Sequence, residues 1–461
     1  VYFYRLDSIP SGFYVDEATI AYNARSILET GKDEYGKSFP LVFRLMGSYS
    51  PPLFVYLSAL LVKFFGSGVV VFRSVSAVSI LTSIIFFFLL ARKMALYKLQ
   101  MSYLAITLFY AISPWLVFNA RLGYETTFGF ILFNIGAYFL FLALKKPKNL
   151  ITATVFFSIA SYTSYNQRIL GPLFLGVFVL AFRNVFLKKP NIKIVLAAIL
   201  AGLITQIPNL TIIGTPAFWT KGNQINPNYF WMFLTYLSPK TLFFANPDID
   251  LQHTIPQISM LFNWMVIPYF IGLYLLVKRI KAVEYKFLVF YFATAILPAV
   301  FSSQFVSEQR VLPFIIPLML VIGLGVDRIF VCLKPSLKYL ILVPVLGYSL
   351  LVLYISYFVL FPKERANAWN YGYDQVAEYI AKRPNERFVV DDTRNPRTYI
   401  LLLYFLEISP AEYQMNNNPD YKNNYYKAHP MAEAFNFRNV EVRQINWQTD
   451  SQEDLYIIGD D

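Results

Sequence analysis

The chain has one cysteine, Cys332, two histidines, and only 15% charged residues among its 461. A single cysteine excludes an internal disulfide framework. Together with two histidines it also excludes a zinc site built from those ligands, so any metal would have to sit on carboxylates. An ordinary soluble domain carries about 25% charged residues. Here the balance is apolar, at 56% hydrophobic and 18% aromatic. The apolar residues gather in runs such as SAVSILTSIIFFFLLA and LVPVLGYSLLVLYISYFVLF, close to the about 20 residues that cross hydrocarbon. Several such runs imply a polytopic α-helical membrane protein in a lipid bilayer. No internal repeat is visible, which disfavours the transporters built of inverted halves. No cleavable targeting segment is visible. The chain begins with Val1, and VYFYRL reads either as the last turn of a preceding spanning helix or as a short polar-flanked terminus.

The hydrophobic pattern predicts ten spanning helices at 69–90, 100–119, 126–144, 150–163, 169–187, 192–210, 260–277, 287–301, 311–330 and 338–361. The connections on one side carry Arg92, Lys93, Lys98; Lys145, Lys146, Lys148; Arg183, Lys188, Lys189, Lys193; Lys278, Arg279, Lys281, Lys286; and Arg328, Lys334, Lys338. Those on the other side carry only Arg121, Arg168, Lys221, Lys240 and Arg310. By the positive-inside rule the first side is cytoplasmic. The net charge of +12 is thus a topology signal and gives no support to nucleic-acid binding.

Three pieces would then lie outside the cytoplasm of a plasma (inner) membrane: residues 1–68, a loop near 211–259, and the tail 362–461. The segment PPLFVYLSALLVKFFG is too short to span and reads as a helix lying at the outer interface. The tail alternates helix, strand and helix before further strand-like runs, predicting a small α/β domain that stops abruptly.

The acidic pair Asp16–Glu17 opens GFYVDEATIAYNARSIL. One reading is a helix start, with Asp16 as N-cap, an apolar stripe through Ile20, Ala24, Ile27 and Leu28, and Gly31 as the close. The other is a carboxylate facing an outer cavity as a base or cation ligand. In SPWLVFNARLGYETTFGFILF, Arg121 and Glu125 would pair along a helical turn or face the same cavity. Tyr165 and Arg168 emerge together on the outer rim, as do Glu308 and Arg310. Each arginine alone reads as an interfacial anchor. The three together, in loops that otherwise avoid basic residues, suit an anionic lipid headgroup, because the guanidinium fork matches phosphate oxygens. Asp248-Ile249-Asp250 has the form of a metal-nucleotide aspartate pair, a three-letter pattern that recurs by chance.

In the order VDEATIAYNARSILETG, YSPPLFVYLSALLVKFFG, FRSVSAVSILTS, SPWLVFNARLGYE and QRVLPFIIPLML, the chain resembles the GT-C superfamily of membrane glycosyltransferases. The resemblance covers roughly residues 10–330. It is to the family 39 branch that contains protein O-mannosyltransferases and the aminoarabinose transferase of lipid A. It implies the GT-C fold and transfer of a sugar, with inversion, from a polyprenyl-phosphate carrier to an extracytoplasmic acceptor. Carried over by position, Asp16 would take the acceptor's proton, with Glu17 and Glu125 in support. Arg121, Arg168 and Arg310 would hold the donor phosphate, and Tyr165 and Glu308 would line the substrate site. A divalent ion such as Mg or Mn on Asp16, Glu17 and Glu125 is the alternative source of positive charge. Three positions depart from relatives. Ser50 precedes the Pro pair where some have an acidic residue or histidine, and Thr19 and Ile20 lack the basic and aromatic residues of the aminoarabinose branch. The loop at 211–259 is also too short for the extra β-domain of eukaryotic protein mannosyltransferases, which favours a prokaryotic type. An O-antigen ligase or polymerase is the runner-up, and a lipid-linked-glycan transporter a more distant one.

Overall fold

Long apolar stretches with few breakers leave the backbone no partner in hydrocarbon except itself, and they form helices. The computed structural model describes residues 1–45, 48–219, 228–244, 251–302, 306–393, 397–415, 424–427, 434–450 and 455–459; the Asp248–Asp250 tripeptide lies outside them. Among the described residues six helices are long and apolar enough to cross a membrane: Val69–Met94, Glu125–Ala143, Lys189–Leu210, Val283–Phe301, Leu312–Cys332 and Pro335–Glu364. Each coincides with an expected span. The other four expected spans are shorter helices, for local reasons. Gln100–Ala111 ends before Ser113, and Pro114, which cannot donate to the preceding turn, opens the separate helix Pro114–Asn119. Asn149–Ala160 stops at a turn, Tyr165–Ala181 carries Pro172 inside it, and Val266–Lys278 follows a 3-10 turn at Asn263–Met265.

The chain divides into two compact units. The first comprises Val1–Leu6, Arg73–Leu210 and Lys221–Glu364. Its helices approach through glycine: a methyl group on Gly272 would lie 1.9 Å from the Val321 carbonyl oxygen, and one on Gly325 would lie 1.9 Å from that of Pro268. These contacts lock Val266–Lys278 against Ile315–Cys332, in keeping with the preference of membrane helices for small residues where backbones meet. Asp327 supplies a cap that the helix Gln100–Ala111 lacks locally. Its carboxylate accepts from the Lys98 and Leu99 N–H groups, both at 3.1 Å, and from Ser102 Oγ at 2.7 Å.

The second unit gathers three stretches, Asp7–Phe72, Thr211–Thr220 and Arg365–Asp461. The first loop and the tail, read from sequence as separate pieces, therefore belong to one unit. Helix Val15–Thr30 packs on helix Leu53–Phe65, and a hairpin of β1 (Phe43–Leu45) and β2 (Ser48–Ser50) lies between them in sequence. The tail follows the expected helix, strand, helix order: Tyr373–Ala381, β3 (Phe388–Val390), Tyr399–Phe405. With β4 (Phe435–Phe437), β5 (Val440–Val442) and β6 (Tyr456–Ile458) it forms a sheet of order β4-β5-β3-β6. There β3 is parallel to both neighbours, and β4 and β5 form an antiparallel hairpin. Val389 is paired with Glu441 on one side and Ile457 on the other.

Candidate functional site

In the second unit the start of helix Val15–Thr30 is held by the tail. Gly12 passes so near the Trp369 carbonyl oxygen that a methyl group there would lie 1.8 Å from it, so no other residue fits. The Tyr14 ring packs on Trp369 at 5.7 Å, and the Val15 N–H donates to Asn370 Oδ1 at 3.3 Å. The N-cap is Tyr14, in extended conformation, and not the expected Asp16. Asp16 instead occupies the first turn, exposed, where a negative charge meets the helix's unsatisfied N–H groups. The physical reason for the change is that the extended Tyr14 and the Asn370 side chain already serve the helix start. Glu17 is fully buried, and its Oε2 accepts from the Tyr14 N–H at 3.3 Å. At the other end Gly31 (φ 67°) closes the helix by donating to the Ile27 carbonyl.

A second acidic pair, passed over in the sequence, follows that close. Asp33 and Glu34 are both fully buried. Asp33 Oδ1 accepts from the Lys37 N–H at 2.8 Å and the Tyr35 N–H at 3.1 Å, and its Oδ2 accepts from the Tyr425 hydroxyl. Glu34 accepts from Asn23 Nδ2 and from the Tyr399 hydroxyl, both at 3.3 Å, and its own N–H donates to Asn23 Oδ1 at 2.9 Å. The Arg44 guanidinium lies 5.3 Å from the Tyr35 ring centre. Burial pushes the Asp33 carboxyl up to about 6. Burial and then the Asp33 charge push the Glu34 carboxyl up to about 8. The signal in the sequence was the repetition of adjacent acids in a charge-poor chain.

The other expected site residues belong to the first unit. Arg121 is fully buried; its Nη1 donates to the carbonyls of Val1 (2.8 Å) and Tyr2 (2.9 Å), and its Nη2 to that of Arg5 (3.0 Å). Arg73, equally buried, donates to the Leu6 carbonyl at 3.1 Å. Glu125 is half-buried and is the first residue of its helix, after an extended Tyr124 whose hydroxyl accepts from Gln252 Nε2 at 2.8 Å. Arg168 lies over the Tyr165 ring at 4.5 Å and donates from Nε to the Ser161 carbonyl at 3.3 Å. Glu308 is buried, and its carbonyl accepts from Trp115 Nε1 at 2.9 Å; Arg310 nearby is half-buried. Among the described residues no group of three or more His, Cys, Asp or Glu side chains is placed as a metal ligand set.

Residues 49–212 match the family of dolichyl-phosphate-mannose-protein mannosyltransferases. ArnT from Cupriavidus metallidurans, solved bound to undecaprenyl phosphate, is similar with a TM-score of 0.57 at 14% identity, over 91% of this chain and 86% of that one. The same protein in the apo state gives 0.58 at 14% identity, over 88% and 82%. The archaeal oligosaccharyltransferase AglB from Archaeoglobus fulgidus, in complex with an inhibitory peptide and a dolichol-phosphate, gives 0.51 at 11% identity, over 86% and 60%. No curated protein matches in sequence. At these identities the solved structures establish a shared fold. The family match covers residues 49–212, less than half of the chain, and the fold of this multi-pass membrane chain is the one shared with ArnT.

Proposed function

We propose that the chain is an inverting glycosyltransferase that moves a sugar from a polyprenyl-phosphate carrier to an acceptor hydroxyl on the extracytoplasmic side of the membrane. The observation that carries this reading is the GT-C fold combined with an exposed Asp16 at a helix start that Gly12, Trp369 and Asn370 hold in place. The acceptor oxygen attacks the anomeric carbon as the bond to the phosphate oxygen breaks, and the electron pair leaves on the polyprenyl phosphate. Asp16 takes the acceptor's proton. A phosphate is already a good leaving group, so it needs cationic stabilisation and no separate acid. Arg168 and Arg310, both only half-buried, supply that charge, with Tyr165 and Glu308 beside them. Three Arg121 N–H donors are engaged by the carbonyls of residues 1–5, so Arg121 acts chiefly by holding that segment. Glu17 and Glu125 support the base and the acceptor.

Lipid that co-purifies with the protein provides the test, read by mass spectrometry. Asp16→Asn should fold normally and retain sugar-loaded polyprenyl phosphate, where the wild type holds mostly the free carrier; transfer should fall by at least about a hundredfold. An identical ratio of loaded to free carrier in the two proteins would rule out Asp16 as the base.

A further inference from the structure

Helix Lys189–Leu210 presents leucine and isoleucine outward at Leu196, Ile199, Leu200, Leu203, Ile204 and Ile207, all exposed as a lipid-facing surface requires. Two amides interrupt its apolar composition near the outer end, Gln206 and Asn209. Amides in a spanning helix are costly unless they are satisfied by a neighbouring helix. Both turn to one place, the short turn after helix Asn149–Ala160. Gln206 Nε2 donates to the Ser158 carbonyl at 3.0 Å, and Gln206 Oε1 lies 3.1 Å from Ser161 Oγ. Asn209 Nδ2 donates to Gln206 Oε1 at 2.8 Å and lies 3.4 Å from Ser161 Oγ. The adjacent Tyr162 hydroxyl donates to the Thr205 carbonyl at 2.7 Å. On the opposite flank the helix that begins at Glu125 closes on the same turn, where a methyl group on Gly129 would lie 2.2 Å from Thr163 Oγ1.

The residue so gripped, Ser161, is the one whose carbonyl accepts from Arg168 Nε. Packing two helices together would need only small residues, as at Gly202 beside Thr154. Fixing a carbonyl against movement needs directional bonds, and the two amides provide them. An arginine side chain has many rotamers to lose when it binds an anion, and a guanidinium already tethered at Nε and stacked on Tyr165 has fewer. We propose that Gln206 and Asn209 are positioning residues for Arg168. By holding Ser161 they fix the direction in which the guanidinium meets the phosphate of the lipid carrier. This rests on the reading of Arg168 as a donor-phosphate ligand.

A double-mutant cycle on the full chain in detergent tests it, with undecaprenyl phosphate as the titrant and tryptophan fluorescence as the readout. Arg168→Ala is expected to weaken binding by tenfold to about a hundredfold. Gln206→Leu is expected to weaken it about tenfold alone and less than about twofold in the Arg168→Ala background, because the two act as one unit. An equal factor in both backgrounds overturns the positioning role and leaves Arg168 standing as a phosphate ligand. Unchanged binding in Arg168→Ala removes both the phosphate role and the positioning role. Should Gln206→Leu fail to fold, Asn209→Ala carries the same cycle with the same expectations.

Discussion

In the helical unit Arg73 and Arg121 are fully buried, and both donate to carbonyls of residues 1–6. In the second unit the carboxyls of Asp33 and Glu34, just past the first helix, are fully buried and held among Asn23, Arg44, Tyr399 and Tyr425. The two arrangements solve one problem with groups of different acidity. A guanidinium stays charged at any accessible pH, so its bonds to carbonyls are permanent. A buried carboxyl can take up a proton when its charge becomes too costly, so its surroundings respond to pH. Structure held by the arginines should therefore be indifferent to pH, and structure held by the carboxyl pair should not.

The largest effect expected is at Arg121. Arg121→Met fills similar volume but strands three carbonyls, that of Tyr2 in a buried bond, and should cost about 3 kcal/mol or more. A lowered midpoint of thermal unfolding in detergent, with new protease cleavage within residues 1–6 and no change in the pH profile, would bear the comparison out. An unchanged midpoint would break it.

Glu34→Gln comes next and sharpens the other side. The Glu34 carboxyl is held near 8 in the fold against 4.5 in an open chain, so the folded state binds the proton more tightly. The stability this contributes is complete below about pH 4.5 and is lost progressively as the pH rises toward 8. At about 1.4 kcal/mol per unit of pKa difference the wild type should lose a few kcal/mol across that window. The groups facing Glu34 are Asp33, Tyr35 and Arg44 on its own loop, Tyr22 and Asn23 on the helix, and Tyr399 from the tail. Only Asp33 among them titrates nearby, from 3.8 to about 6, with the same sign. Hydrogen exchange of peptides from residues 19–45, measured from pH 5 to 8, should show protection falling with pH in the wild type and much less in Glu34→Gln. Equal slopes would mean that the pair does not titrate with folding.

Where the chain is continuous and apolar the sequence was enough: the six long helices coincide with expected spans because twenty uninterrupted apolar residues have no other low-energy state in hydrocarbon. It also sufficed for the helix, strand, helix order of the tail, whose periods are local. It fell short where contact partners are far apart in the chain. Nothing near Asp33 announces Tyr425, and nothing near Val15 announces Asn370, yet these pairs draw the first loop and the tail into one unit. The same blindness gave Asp16 the N-cap, since the side chain that serves the helix start comes from hundreds of residues away. Arg121 looked like one of three equivalent rim cations because its use by the carbonyls of residues 1–5 depends on a chain reversal that has no local signature.

The smallest effect tests whether the close of the first helix and the carboxyl pair are one structural device. Gly31 sits at φ 67°, and a methyl group there would lie 3.3 Å from the Phe39 ring. Beyond it the Asp33 N–H donates to the Lys37 carbonyl and the Gly36 N–H to the Asp33 carbonyl, so the tight turn that buries both acids starts two residues from the cap. Gly31→Ala strains the left-handed conformation by about 1 kcal/mol. If the cap sets the turn, the strain should pass to the acids by loosening their burial. The pH slope of protection in peptides from residues 19–45 would then flatten toward that of Glu34→Gln, although neither carboxyl has been touched. If Gly31→Ala lowers protection equally at pH 5 and pH 8, the cap and the carboxyl pair are energetically separate, and the pH response belongs to the pair and its tyrosines alone.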